Sequence, residues 1–559
     1  MAISKLIVGG FKCFRDSVEI PIAPITLMFG PNSAGKSAVR DALFELRRKL
    51  SLERDREKSL AADAVAALAG DSAGHQLPTS EEGDEPQHAN VLLGCEVDHF
   101  EPNGSGPLAA YNEWTELGQG LYFSLRGRAV RYEFVDGVAD STLTQALSVD
   151  GHALLEYVEA AAAATAGVSQ SWPEPPFTTR IFRSVQEPGL LRLNLAHEIL
   201  ADAQFTHLVQ EVLDRVKQLS EVGAGGLVWM ADDAMCIRAH AYKRTCRTWV
   251  DWTEELGLTS VAGEMFGSLI EPLRRLFLTT NELVRQVEHS LAIDVGIAHV
   301  PASRSLLGGS DVTADWFGVG EYDNMFVPEH SVQAYARWLG FKALDGEEVP
   351  HQVSAELRGR DDLVNDVLGS PGIAARRYTI EAAVSVREER QLQPIDHNWS
   401  AESAWSVHSQ LFLRDEDGRR LDFAQVGSGI SYVLPVLTAL WAAKWSLIEQ
   451  PELHLHPAAQ CEIGDAVVRA FNRGRFTIVE THSEHLLLRI LKRVRQTSAD
   501  RIADRELRCH AEAIVALYFA PRAGGTTTVH QLRVTRAGEF KDRWPDGFFE
   551  ERSRELFDE

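Results

Sequence analysis

Cysteine is scarce, and its spacing builds nothing. The six cysteines among 559 residues, Cys13, Cys95, Cys236, Cys246, Cys461 and Cys509, form no C-x-x-C pair. That argues against a zinc ribbon or a disulfide framework and fits a reducing cytoplasm. Positive charge is also short: 56 Lys and Arg stand against 80 Asp and Glu, a formal net charge of −24. A chain-wide electrostatic grip on nucleic-acid phosphates is therefore not expected, which leaves local basic patches as the route to such a partner. Long apolar runs are missing too. The longest, Val433 to Ile448, is broken by Pro435 and Lys444 and is too short to span a bilayer. Nothing near Met1 has the pattern of a signal peptide. With 45% hydrophobic and 24% charged residues, the composition is that of an ordinary globular protein and excludes a disordered, collagenous or rod-like chain. The length allows three or four domains, or one large domain with insertions.

Patterning orders the chain. LIVGGF and SVEIPI, within residues 4–22, read as strands, and Ile25–Phe29 as a buried strand running into a glycine-rich loop. Leu43, Leu46 and Leu50 have helical spacing. Residues 51–90 read as a solvated acidic excursion. Strand patterning returns over 91–136, including LYFSLRGRAVRYEFV, and residues from about 140 to 294 are expected to be mostly helical. From Ile297 onward strands are expected at IAHVPASR, YTIEAAVSV, HSQLFL and RLDFAQV, with a hairpin turn at Asp415–Gly418. No internal repeat is present.

Gly30-Pro31-Asn32-Ser33-Ala34-Gly35-Lys36-Ser37 matches G-x-x-x-x-G-K-S/T in full, between an apolar strand and a helix. The chemistry requires this pattern. Glycines let backbone N–H groups turn inward around phosphates, Lys36 neutralises the β/γ oxygens, and Ser37 offers a hydroxyl to Mg²⁺. The helix that follows points its positive end at the same charge. Such a loop needs an acidic residue at the end of another buried strand to hold the metal. KWSLIEQPE supplies Glu449 there, and RFTIVETHSEH gives a second buried strand running into Thr481-His482-Ser483. Upstream, Gly427-Ser428-Gly429 opens an apolar helix.

This order resembles the ABC-class ATPase heads of SMC, RecF and OLD-type proteins. IEQPELHLHPAAQ and VETHSEHLLLRI are similar to bacterial AAA-type ATPases related to the OLD family, and WPDGFFEE resembles a short C-terminal domain of unknown function on one branch of them. The resemblance implies an α/β P-loop head split by a mostly helical insertion. Its parts would be 1–136 and 295–510, with the insertion at 137–294 and a short β/tail domain at 511–559. It implies ATP and Mg²⁺ as ligands, Ser37 and Glu449 as metal ligands, and His482 as the switch residue. It also implies a homodimer in which Gly427–Gly429 reaches the partner's nucleotide. Relatives of this kind often serve in anti-phage defence beside a nuclease or toxin.

Two departures bear on chemistry. Where ABC-class heads carry the catalytic Glu before proline, this chain has Gln450, which cannot take a proton. Glu452, on the next turn, is then the expected proton acceptor, or hydrolysis is slow and the site mainly switches. After His482 the chain is too short for a Toprim nuclease, and no H-N-H or zinc-finger pattern occurs. The expectation is an ATPase switch or motor whose destructive chemistry belongs to a partner. The alternatives are a RecF-like ATPase that binds DNA directly and a regulatory module with a weak or inactive site. His454 and His456 suggest a metal pair only weakly, and Asp415 with Asp417 reads better as turn chemistry.

Overall fold

The computed structural model describes residues 3–56, 91–102, 113–137, 142–158, 188–220, 228–231, 234–240, 297–302, 311–316, 354–358, 377–395, 398–421, 426, 428–522 and 524–545, with scattered helical positions between 272 and 291. The chain divides into two compact units. The first comprises Met1–Pro21, Ala38–Asp294 and Gly524–Thr526, the second Ile22–Ser37, Val295–Ala523 and Thr527–Glu559.

The first unit holds a nine-stranded antiparallel sheet. Its strands are β1 (Lys5–Gly9), β2 (Val18–Pro21), β4 (Val91–Val97), β5 (Val130–Gly137), β6 (Thr142–Val149), β7 (His152–Val158), β8 (Pro188–Asn194), β9 (Val228–Ala231) and β10 (Ala234–His240), in the order β2-β1-β4-β5-β6-β7-β8-β10-β9. Five of these strands lie within 137–294, where helix is expected from patterning. The expected helix at α3 (Ala203–Ser220) is there, but strands join it. The reason is visible in β6: Gln145, Leu147 and Val149 are buried and alternate with half-buried Ala146 and Ser148, a strand period rather than a helical one. A boundary at 136/137 would also cut through β5, whose register with β6 runs from Val130↔Val149 to Gly137↔Thr142. LYFS is a second correction. It belongs to helix α2 (Glu113–Ser124), which buries Leu117, Leu121 and Tyr122 at helical spacing.

The second unit contains a six-stranded sheet in the order β11-β17-β18-β3-β19-β20. These are β11 (Ile297–Val300), β17 (Trp445–Glu449), β18 (Phe476–Glu480), β3 (Ile25–Phe29), β19 (Ile514–Pro521) and β20 (Thr527–Leu532). All its pairings are parallel except β19 with β20. A parallel sheet needs cover on both faces, and β3 is accordingly buried at every position. Each buried Leu, Ile or Phe contributes about 1.5–3 kcal/mol by leaving water. Helix α1 (Lys36–Arg56) follows β3, and α4 (Ser428–Ala442), α5 (Pro457–Asn472) and α6 (Glu484–Ser498) accompany β17 and β18. Residues 511–559 are not set apart as a domain. β19 lies directly beside β3, with Ile514 opposite Ile25 and Tyr518 opposite Phe29. A separate antiparallel sheet carries β12 (Asp311–Trp316), β13 (Ser354–Arg358), β14 (Tyr378–Ile395), β15 (Asn398–Asp415) and β16 (Arg420–Leu421).

Among the described residues, no helix is long and apolar enough to cross a membrane.

Candidate functional site

Register brings the site together. Glu449, the last residue of β17, is level with Glu480, the last of β18, and Glu480 is level with Met28 near the end of β3. The carboxyl ends of three neighbouring parallel strands thus meet where the chain leaves β3 for Gly30–Ser37. In open α/β sheets this edge is where ligands bind.

The loop has the backbone that a phosphate cradle needs. Gly30, Ser33 and Gly35 have φ of +139°, +64° and +91°, so successive N–H groups turn toward one side. Gly30 has no substitute: a Cβ there would stand 2.5 Å from the Phe519 carbonyl oxygen in β19. Lys36 begins α1 and is only 3% exposed. Its Nζ donates to the carbonyls of Gly30 at 3.0 Å and Pro31 at 2.8 Å and lies 3.5 Å from Glu480 Oε1. Burial pushes the Lys36 ammonium below its ordinary pKa, and Glu480 opposes that shift.

Two residues here were not among the sequence candidates. Glu480 is one of them, the last residue of β18. The usable signal is a lone carboxylate closing an otherwise buried strand, FTIVE. His299 is the other. Its Nε2 lies 3.1 Å from Glu449 Oε1, and the Ala302 backbone N–H donates to Glu449 Oε2 at 3.3 Å. These contacts orient the Glu449 carboxylate from β11. Nothing in IAHV as a string points to Glu449; the contact exists because β11 pairs with β17.

Glu452 accepts at both carboxylate oxygens, from Thr481 Oγ1–H at 2.8 Å and from the His482 backbone N–H at 2.7 Å. It therefore ties the turn after β17 to the turn after β18. His482 sits near Lys36 and Glu452. Burial first and the Lys36 charge second lower its pKa, while Glu452 pulls the other way. Ser483 caps α6 by accepting from the Leu486 N–H. Gln450 adopts a left-handed backbone, φ +44°, and donates its N–H to the Glu480 carbonyl at 2.7 Å. Gly427 lies outside the described residues. Ser428 opens α4, and Gly429 sits beside the loop after β17, its would-be Cβ 3.5 Å from the His454 carbonyl.

Both histidines of the pair have structural contacts. His456 caps α5, its Nδ1 accepting from the Ala458 N–H, and the His454 ring leans on Tyr432 at 4.4 Å. Asp415 takes the Arg419 N–H at 2.8 Å inside the β15–β16 hairpin, as turn chemistry requires. No cluster of three or more His, Cys, Asp or Glu among the described residues could hold a metal ion. A Mg²⁺ bound through one or two carboxylates and substrate phosphates needs no such cluster. The loop backbone, Lys36, Ser37 and Glu449 are the residues that could hold a nucleotide with that ion.

Residues 311–489 match a family model described as "AAA domain, putative AbiEii toxin, Type IV TA system". Residues 512–558 match "Protein of unknown function (DUF3696)". These are the two kinds of protein that IEQPELHLHPAAQ and WPDGFFEE resemble, and the chain carries an ATPase-type domain. No curated protein matches the chain. Among solved structures, an Smc head bound to the C-winged helix domain of ScpA shares 10% identity over 96% of this chain and 99% of its own, with a TM-score of 0.34. The SMC head domain from Thermotoga maritima shares 8% identity over 96% of this chain and 100% of its own, with a TM-score of 0.32.

Proposed function

We propose that the chain is an ATP-binding, ATP-hydrolysing switch that acts as a two-fold homodimer and passes its nucleotide state to a separate effector protein. The observation that carries this reading is the buried Lys36, folded onto its own phosphate loop, with carboxylates at the ends of the next two parallel strands. Lys36 turns its ammonium from Gly30 and Pro31 to the phosphates of ATP. Ser37 and Glu449 hold Mg²⁺, which supplies charge neutralisation at the phosphate oxygens when bound. Gln450 has no basic oxygen to take a proton at neutral pH.

Proton acceptance, expected at Glu452, passes to Glu480 in this reading. Both Glu452 oxygens already accept hydrogen bonds, from Thr481 and from the His482 N–H, so neither faces an open position where a water could sit. Glu480 stands beside Lys36 and is released when Lys36 moves to phosphate. Glu452 is then a positioning residue for His482. Ser428 and Gly429, with Gly427, complete the site of the partner subunit, as an isologous dimer permits.

The effector, a nuclease or toxin in a setting such as anti-phage defence, supplies any destructive step. Direct DNA binding is the second partner class. The net charge of −24 disfavours it, and Arg493, from the basic run after His482, is spent on Asp465 at 2.6 Å. Gln450 favours one further reading, a regulatory site that binds ATP without turnover. Calorimetry with Mg²⁺ and ATP tests the core of the proposal. Wild-type protein binds and Lys36→Ala does not, because alanine cannot replace a charge-assisted phosphate contact. Equal affinity in the two would remove the reading.

A further inference from the structure

β19 and the residues after it have no task in the nucleotide site, yet three contacts join them to the phosphate loop or to the strand that leads into it. Thr527, buried at the start of β20, donates its hydroxyl to the carbonyl of Ala34 inside the loop at 3.0 Å. The Phe519 carbonyl closes against Gly30, as the would-be Cβ shows. Trp544 sets its ring edge-on to Phe29, with centroids 5.1 Å apart, and Phe29 is the residue before the loop.

Trp544 is itself held. Phe540 meets it edge-on at 5.0 Å and pairs with Val534 in a bridge. Arg533 clasps both oxygens of Asp542, through its backbone N–H at 2.8 Å and its guanidinium at 3.0 and 2.5 Å. The tip of this hairpin, Gly538, has φ +67° and lies so close to α6 that a Cβ would fall 2.2 Å from the Leu491 carbonyl. α6 starts at Glu484, two residues after His482. One short hairpin therefore rests on the helix behind the switch histidine and on the strand behind the phosphate loop.

We propose that Thr527–Trp544 braces the phosphate loop, with Thr527 and Trp544 as positioning residues for the nucleotide phosphates, and that bound nucleotide and this segment stabilise each other. The inference rests on the nucleotide reading above. A loop with three residues at positive φ holds its N–H groups in place only while its surroundings over-determine it. Ordering the loop before binding spares the ligand that cost. Any such coupling is reciprocal: what the brace does for the nucleotide, the nucleotide does for the brace.

Thr527→Val keeps the side chain's shape and removes its donor. Its Mg²⁺–ATP affinity by calorimetry should fall about 2- to 10-fold, the worth of one hydrogen bond, and Thr527→Ser should restore it. Trp544→Ala should weaken binding further, with Trp544→Phe recovering most of the loss. Hydrogen exchange supplies a readout that a merely structural role would not move. Mg²⁺–ATP should slow exchange across 533–542 in the wild type and leave it unchanged in Lys36→Ala. If the wild type binds, Lys36→Ala does not, and both Thr527→Val and Trp544→Ala bind like the wild type, the brace is overturned while the nucleotide reading stands. A wild type that binds no nucleotide overturns both.

Discussion

The backbone N–H of His482 donates to Glu452 Oε1 at 2.7 Å, across 30 residues of sequence. The other oxygen of the same carboxylate accepts from Thr481. The turn that carries His482 is thus tied to a side chain on the neighbouring turn.

Glu480→Gln should lower ATP turnover about 10²- to 10⁴-fold, the usual worth of a general base, and leave Mg²⁺–ATP affinity nearly unchanged. Glu452→Gln should cost less turnover and more stability, because its amide NH₂ meets another donor where an oxygen now accepts; one unmet buried donor costs about 1–3 kcal/mol. Steady-state hydrolysis and thermal melts on both variants decide the matter. Normal hydrolysis by Glu480→Gln beside a collapse in Glu452→Gln would return the proton-acceptor role to Glu452.

Mixing Lys36→Ala chains with Ser428→Arg chains should recover part of the hydrolysis that each loses alone. The heterodimer holds one intact composite site and one doubly broken one. Confirmed heterodimers that stay inactive would show that Ser428 does not act on the partner's nucleotide.

His482 has its pKa lowered by burial and by Lys36, so the folded protein binds this proton less readily than the unfolded chain. Its stabilising contribution is complete above about pH 6.5, the unfolded value, and is lost as pH falls from there toward the folded pKa. In melts between pH 7.5 and 5.5, the wild type should lose stability faster than His482→Gln. Parallel slopes would show that His482 is not the group responsible.

Purified chain should leave linear, supercoiled and single-stranded DNA uncut with Mg²⁺ or Mn²⁺, with or without ATP. Metal-dependent cutting that survives purification and disappears on changing an acidic residue outside the nucleotide site would reveal a nuclease centre in the chain itself.

The phosphate loop was legible because all its determinants lie within eight consecutive residues, Gly30 to Ser37. Glu449 was legible as the end of an apolar strand, and His482 as a residue in the turn just after one. Glu480 carries a local signal, as the carboxylate that closes FTIVE, but its place beside the phosphate loop comes from the register of β18 with β3; His299 carries none, since its contact comes from the register of β11 with β17, which no local pattern encodes. AIVALYFA could be read as a strand, but not as the neighbour of β3. The strands of 142–158 were lost beside the stronger helical stripe that follows at Leu208, Val209, Val212 and Leu213. Gly427, expected to reach the partner's nucleotide, lies outside the described residues, as do residues 57–90 of the acidic excursion.

The placement of β3 also governs the order in which the protein can be built. Its five buried residues are made long before their neighbours, because the strands on either side of it begin at Phe476 and Ile514. Some 450 residues separate Phe29 from Phe476, so at about 5–20 residues per second the ribosome needs roughly 20–90 s to deliver the first neighbour. Throughout that interval Ile25–Phe29 is an apolar strand with both of its sheet edges open, the kind of segment that chaperones bind and that recruits copies of itself. The central sheet is therefore assembled late, from segments far apart in the chain. The yield of soluble protein should depend on how fast the chain is made as well as on how stable it is once folded.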